Sequence, residues 1–279
     1  MKRNIVLLVI TGMVLLGLLA IGSAVLAPKV SADAEAMGAA NRLYQVGNYD
    51  EAGRIYEQII AQGFQDSSVY FNLGNTYYRQ GDLGRAIVNY QRAALLNPRD
   101  ADIQANLDLA REQAGVVLGL ENVLANVPGP LGMLLEMTGN WLTVNETAVL
   151  VLAFWFLAGL LLLGWRLMAP GRARSTFRFA AVLVLLVLLL TGLSLGTRIF
   201  AEQTLPGGVV IAPSVAVSTE PGEEFITGYS LQSGTEVSVA ETYENWARLA
   251  VPGDAVESWI PLDAVELVAS GQLAHGTLL

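Results

Sequence analysis

Two uncharged apolar runs frame the chain, Thr147 to Trp165 and Phe179 to Thr197. Each approaches the ~20 apolar residues that a helix needs to cross a bilayer. The link between them carries Arg166, Arg172, Arg174 and Arg178 and no acid. Lysine and arginine concentrate on the cytoplasmic side of membrane helices, so this link reads as a cytoplasmic turn with both flanks on the opposite side. Two buried helices of a soluble protein would be a poorer account, because core helices usually have shorter apolar runs. The expected helices are 147–168 and 179–199, joined by a loop at 169–178. Neither run holds an ionisable residue, so the pair lacks the buried charge of a proton or ion path. Gly192 and Gly196, four apart, would allow close helix contact.

The N-terminus fits this topology. Lys2 and Arg3 precede an uncharged run from Asn4 to Pro28. Residues 1–34 therefore read as a signal peptide or a signal anchor, and either sends the next segment across the membrane. The chain has 279 residues, enough for two modest domains beside the membrane part. Its net charge is -9 and its cations do not cluster outside the arginine link, which argues against nucleic acid as a partner. With no cysteine and His275 as the single histidine, thiol and histidine chemistry have little to work with. No nucleophile–base pair, carboxylate pair or metal cluster stands out, and adjacent Glu223 and Glu224 read as solvated charge. The expectation is no catalytic residue, no metal and no cofactor.

Residues 35–114 repeat with a period of 34. Matched positions include Ala40 and Gly74, Leu43 and Tyr77, Gly47 and Gly81, Ala52 and Ala86, and Tyr56 and Tyr90. The pattern resembles the tetratricopeptide repeat. The second unit matches well, with Tyr70, Leu73, Gly74, Tyr77, Gly81, Ala86, Tyr90, Ala93 and Pro98. The first is degenerate, with Ala36 in place of the large aromatic. Small Gly74, Ala86 and Ala93 suit close helix crossings, beside gaps filled by Tyr77 and Tyr90. Residues from Ala101 read as a capping helix, with Ile103, Leu107 and Ala110 on one face. The resemblance implies a concave face that binds peptide-like partners, here displaying Asn41, Tyr44, Phe71, Asn75, Tyr78 and Arg79, with Met37 and Leu109 beside them. The competing reading is that Tyr44 and Phe71 are ordinary helix-packing residues.

Residues 115–146 are apolar but broken by Pro128-Gly129-Pro130 and Gly139-Asn140, which predicts two short amphipathic helices at 118–127 and 131–137. Trp141 suits headgroup depth and Asn145 suits the cap of the first membrane helix. After Ala201 the composition turns β-rich, with five short runs between turns and a hairpin turn at Pro252-Gly253-Asp254-Ala255. Residues 206–270 resemble the bacterial SH3-like domain through Gly234, Thr235, Val237, Val239, Trp246, Trp259, Ile260 and Pro261. Trp246 and Trp259 either form a ligand groove or fill the barrel core. Eleven acids from Glu202 onward stand against Arg248 as the only arginine or lysine, so a cationic partner suits this domain. Residues 271–279 read as a tail.

The expected fold class is a multidomain membrane protein: an all-α tetratricopeptide repeat superhelix, a two-helix transmembrane hairpin and a small all-β SH3-like barrel. This order resembles the BatE-type proteins of bacterial aerotolerance operons. The resemblance implies a non-enzymatic envelope adaptor at the plasma membrane, with both outer domains extracytoplasmic and membrane-anchored von Willebrand factor A proteins as partners. The rival expectation is a cell-wall protein that holds peptidoglycan through the SH3-like domain.

Overall fold

The computed structural model describes residues 32–115, 141–204, 206–222, 226–250 and 258–268. The signal segment, the two amphipathic helices, the turn at Pro252–Ala255, Glu223 and Glu224, and the tail lie outside the described residues.

The 34-residue period becomes a stack of antiparallel helices: α1 (Ala32–Gln45), α2 (Tyr49–Ala61), α3 (Ser67–Gln80), α4 (Leu83–Leu96) and α5 (Ala101–Ala114). Three of them start on an aspartate whose side chain accepts a backbone N–H of the first turn: Asp66 for α3, Asp82 for α4 and Asp100 for α5. Such caps satisfy donors that the helix cannot. Gly81 ends α3 in the left-handed region at φ 81°, and Gly47, one period earlier, has the same φ. Ala40, Ala52, Tyr56, Ile59, Val69 and Leu73 form the core of the first helix pair and its neighbour. Ala86, Ile87, Val88, Tyr90, Leu107 and Ala110 form a second cluster. The crossing of α3 and α4 is close: a Cβ on Gly74 would lie 2.7 Å from the Tyr90 ring.

Two long helices follow, α6 (Val144–Leu167) and α7 (Arg172–Thr204). Each is long enough, and has an 18-residue stretch apolar enough, with mean hydropathy 2.4 and 2.6, to cross a membrane. Three expectations change here. The arginine link is mostly helix, since α7 begins at Arg172 and only 168–171 separate the pair. The cap of α6 is Thr143, not Asn145: Thr143 Oγ1 accepts from Glu146 N at 3.1 Å and Glu146 Oε2 accepts from Thr143 N at 2.9 Å. Close contact falls at Gly164, where a Cβ would lie 2.7 Å from the Phe177 ring, while a Cβ at Gly192 or Gly196 would meet nothing within 4 Å. At the other end Arg198 donates to the Leu142 carbonyl at 2.8 Å, which pins α7 to the start of α6.

The C-terminal region is an antiparallel sheet of β1 (Gly207–Val210), β2 (Ser214–Ser218), β3 (Ile226–Gln232), β4 (Glu236–Tyr243), β5 (Trp246–Leu249), β6 (Ser258–Pro261) and β7 (Val265–Leu267). Its strand order is β3-β2-β6-β5-β4-β1-β7. One expected strand is split: the run from Gly207 bends at 211–213. A 3-10 turn at Leu262–Ala264 separates the strand of Trp259 from the closing strand that holds Val265 and Leu267. Pro213 and Pro261 mark both breaks, as residues without a backbone donor would. The sheet must curl. Strands β1 and β2 stand four strand spacings apart in the order, ~19 Å if flat. The four steps of chain from Val210 to Ser214 reach at most ~14 Å. The curl does not become a closed barrel: among the described residues β3 and β7 are not paired to each other. Its core is Val210, Val215, Val217, Leu231, Val237, Val239, Ala247, Leu249, Ile260, Ala264 and Val265.

The sheet packs on the helix stack. Strand β1 alternates, so that Val210 joins the sheet core and Val209 joins the cluster of α4 and α5. A Cβ on Gly84 would lie 2.6 Å from the Val210 carbonyl oxygen. Arg92 of α4 donates to Glu266 at 2.7 Å and to the carbonyls of Leu267 and Val268 at 2.7 and 3.2 Å. Arg111 of α5 donates to both oxygens of Glu236, at 2.5 and 3.1 Å. Two acids of the acidic sheet thus find cationic partners on the helix stack.

Candidate partner-binding groove

Asn41 and Asn75 occupy the same place in successive repeats. Each side-chain carbonyl oxygen accepts from a tyrosine hydroxyl of the following helix: Tyr56 at 2.5 Å and Tyr90 at 2.8 Å. Each also accepts from an asparagine of the next repeat: Asn72 at 3.2 Å and Asn106 at 2.8 Å. The two networks are the same three residues displaced by 34 positions. They tie the first helix of a pair both to its own second helix and to the next pair. Burial pushes the Tyr56 hydroxyl up to about 12 and raises that of Tyr90 as well, so both stay protonated donors.

An amide carbonyl offers two lone pairs, and both are used here. The outward chemistry left to Asn41 and Asn75 is the NH2 group, which among the described residues has no partner. Both residues line a depression of about 240 Å³, together with Tyr44, Gln45, Tyr56 and Asn72. Two amide donors along one shallow groove can hold the carbonyls of an extended peptide.

Three of the expected face residues, Asn41, Tyr44 and Asn75, meet in this depression, and Phe71, Tyr78 and Arg79 do not line it. Phe71 leans on Tyr90 with ring centroids 6.0 Å apart. Tyr78 packs half-buried against the second core cluster. Arg79 is exposed, but it is also stacked 5.6 Å from the Tyr49 ring centroid and donates to the Tyr49 hydroxyl at 3.0 Å. Tyr44 meets the same Tyr49 edge to face at 5.3 Å. The Tyr49 hydrogen bond raises the pKa of Arg79 above its ordinary value. Gln45, Tyr56 and Asn72 line the depression without belonging to the expected face. Asn72 and Asn106 are 34 apart, and that spacing was the available signal.

On the sheet, Trp259 is buried, with 6% of its surface exposed, and its indole N–H has no partner among the described residues. Trp246 is half-buried. The register places Trp246 opposite Tyr243 and Pro261, and Trp259 opposite Arg248 and Ser218. Opposed residues share a face, so both tryptophans lie on the face turned away from Ala247 and Ile260.

A tetratricopeptide repeat family model matches residues 67–100, which hold α3 and α4. Repeats of this kind generally mediate protein–protein interaction. A comparison with curated proteins finds no match.

Proposed function

We propose that the chain is a membrane-anchored scaffold that holds a partner protein in the groove of its helical repeats. Helices α6 and α7 cross the bilayer, the arginine tip faces the cytoplasm, and the repeats and sheet stand together outside. The observation that carries this reading is the depression between α1 and α3, with amide donors of Asn41 and Asn75 one repeat apart. The resemblance to BatE-type proteins points to membrane-anchored von Willebrand factor A proteins as the partners, in an aerotolerance or envelope-stress complex. No catalytic step is assigned to the chain. The test is crosslinking in native membranes followed by mass spectrometry. Tyr44→Ala with Gln45→Ala should abolish capture of such proteins and leave the amount of chain in the membrane unchanged. Undiminished capture would sink the groove.

A second reading is supported by the exposed Tyr243 beside Trp246 and Pro261 on one face of the sheet, in the region that resembles an SH3-like domain in sequence. An aromatic strip of this kind could hold peptidoglycan. Cosedimentation of the detergent-solubilised chain with purified wall, lost in Trp246→Ala, would favour it.

A further inference from the structure

We propose that the corner between α4 and α5 is a membrane foot, with Leu95, Leu96 and Trp141 seated in the interfacial layer of the bilayer. This rests on the reading that α6 and α7 cross a membrane.

Two independent observations bring the corner to the membrane surface. The first is Arg99, in the turn between α4 and α5. Its guanidinium donates to both oxygens of Glu146, at 2.6 and 3.2 Å, and to the Trp141 carbonyl at 3.0 Å. It also stands 5.8 Å from the Trp141 ring centroid. Glu146 belongs to the cap of α6, so the turn sits where that helix enters the bilayer. The second is the direction of α4. Its first turn meets the Val210 carbonyl through Gly84, at the far end of β1. Two turns later Arg92 reaches Val268, whose N–H donates to the Gly207 carbonyl at 2.9 Å. Gly207 opens β1, three positions after α7 ends at Thr204. Helix α4 therefore runs toward the membrane as its number rises, and Leu96 lies a further ~6 Å along its axis beyond Arg92.

The side chains at this end suit lipid. Leu95, Leu96 and Trp141 are 48%, 40% and 66% exposed. Tryptophan favours the headgroup layer, where its ring is half apolar and half polar. Charge does not drive the contact. The chain is acidic overall, and Arg99, the cation of this turn, is already held by Glu146. The foot should therefore seat as well in zwitterionic as in anionic lipid. With the membrane hairpin it gives the repeats a second point of attachment, which fixes the groove's orientation to the surface.

The chain has no cysteine, so single labels can be placed without background. Leu95→Cys, Leu96→Cys, Leu109→Cys and Leu157→Cys would each carry an environment-sensitive fluorophore in the full chain, reconstituted in phosphatidylcholine vesicles. Leu109 is an exposed leucine further along α5, and Leu157 an exposed one in mid-α6. Labels at 95 and 96 should be quenched several-fold more by a shallow lipid-borne spin label than the label at 109, and be protected from aqueous iodide. Iodide quenching at 95 and 96 equal to that at 109 overturns the foot. If 157 is then lipid-quenched, the foot alone falls; if 157 is also open to iodide, the membrane-crossing reading falls with it.

Discussion

Asn41 and Asn75 look like partner-binding residues in the sequence, and they act first as joints of the scaffold. Replacing Asn75 by alanine would leave the buried Tyr90 hydroxyl without its acceptor and strip Asn106 of its partner. An orphaned buried donor costs ~1–3 kcal/mol, so Asn75→Ala should lower the unfolding free energy of the detergent-solubilised chain by that much, read as a lower denaturant midpoint. A groove test must therefore use Tyr44 and Gln45, whose side chains are not in these networks. The same joints respond to alkali. The Tyr56 hydroxyl ionises near 10 in the unfolded chain and near 12 in the folded one. Between those values only the unfolded state releases the proton, so stability is intact below pH 10 and declines as the pH rises to 12. A pH series of unfolding curves should show that decline, and Tyr56→Phe should remove part of it.

At the scale of elements, closeness decides what can be substituted. Gly84 lets α4 approach the β1 backbone, and a larger side chain there would meet the Val210 carbonyl, which cannot swing aside. Overpacking of this sort costs ~1–3 kcal/mol, so Gly84→Val should destabilise, and Gly192→Ala, with open space around it, should not. Thermal unfolding of the two variants checks the contrast. The close contact of Gly74 with Tyr90 is legible in the sequence, and that of Gly84 with Val210 is not. Gly74 and Tyr90 belong to one repeat pattern, so their pairing follows from the period. Gly84 meets Val210 across the whole α6–α7 helix pair, and no local signal links them. The β run from Gly207 reads as one strand because its apolar residues continue through the bend. Only the demand that Val209 face the helices while β2 joins β3 and β6 divides it. The cap of α6 slipped by two residues because Thr143 and Asn145 are both good caps, and the glutamate three after Thr143 completes the reciprocal pair.

For the whole molecule, the pair of apolar helices α6 and α7 is spliced between two parts that hold each other. The stack ends on the α3–α4 pair and a single cap helix, and the sheet covers part of that end through Val209, Ile211 and Val268. Arg92 and Arg111 flank that surface and reach Glu266 and Glu236. Arg92 also covers the carbonyls of Leu267 and Val268 along the edge of β7, where unpaired groups would otherwise invite another strand. Apolar contact and part-buried ion pairs together should make repeats and sheet unfold as one cooperative unit. Arg92→Ala with Arg111→Ala leaves two carboxylates and an edge of carbonyls without donors, at ~1–3 kcal/mol for each buried group orphaned. The two positions are on different helices with different partners, so their effects should nearly add. Hydrogen exchange in detergent micelles checks this. In the parent chain, amides of α4 and β4 should exchange with a common opening free energy. In the double variant those of β4 should open at a lower free energy than those of α3, as the sheet melts while the first repeats stay folded. Equal loss across α3, α4 and β4 would mean that the stack depends on the sheet for its own stability.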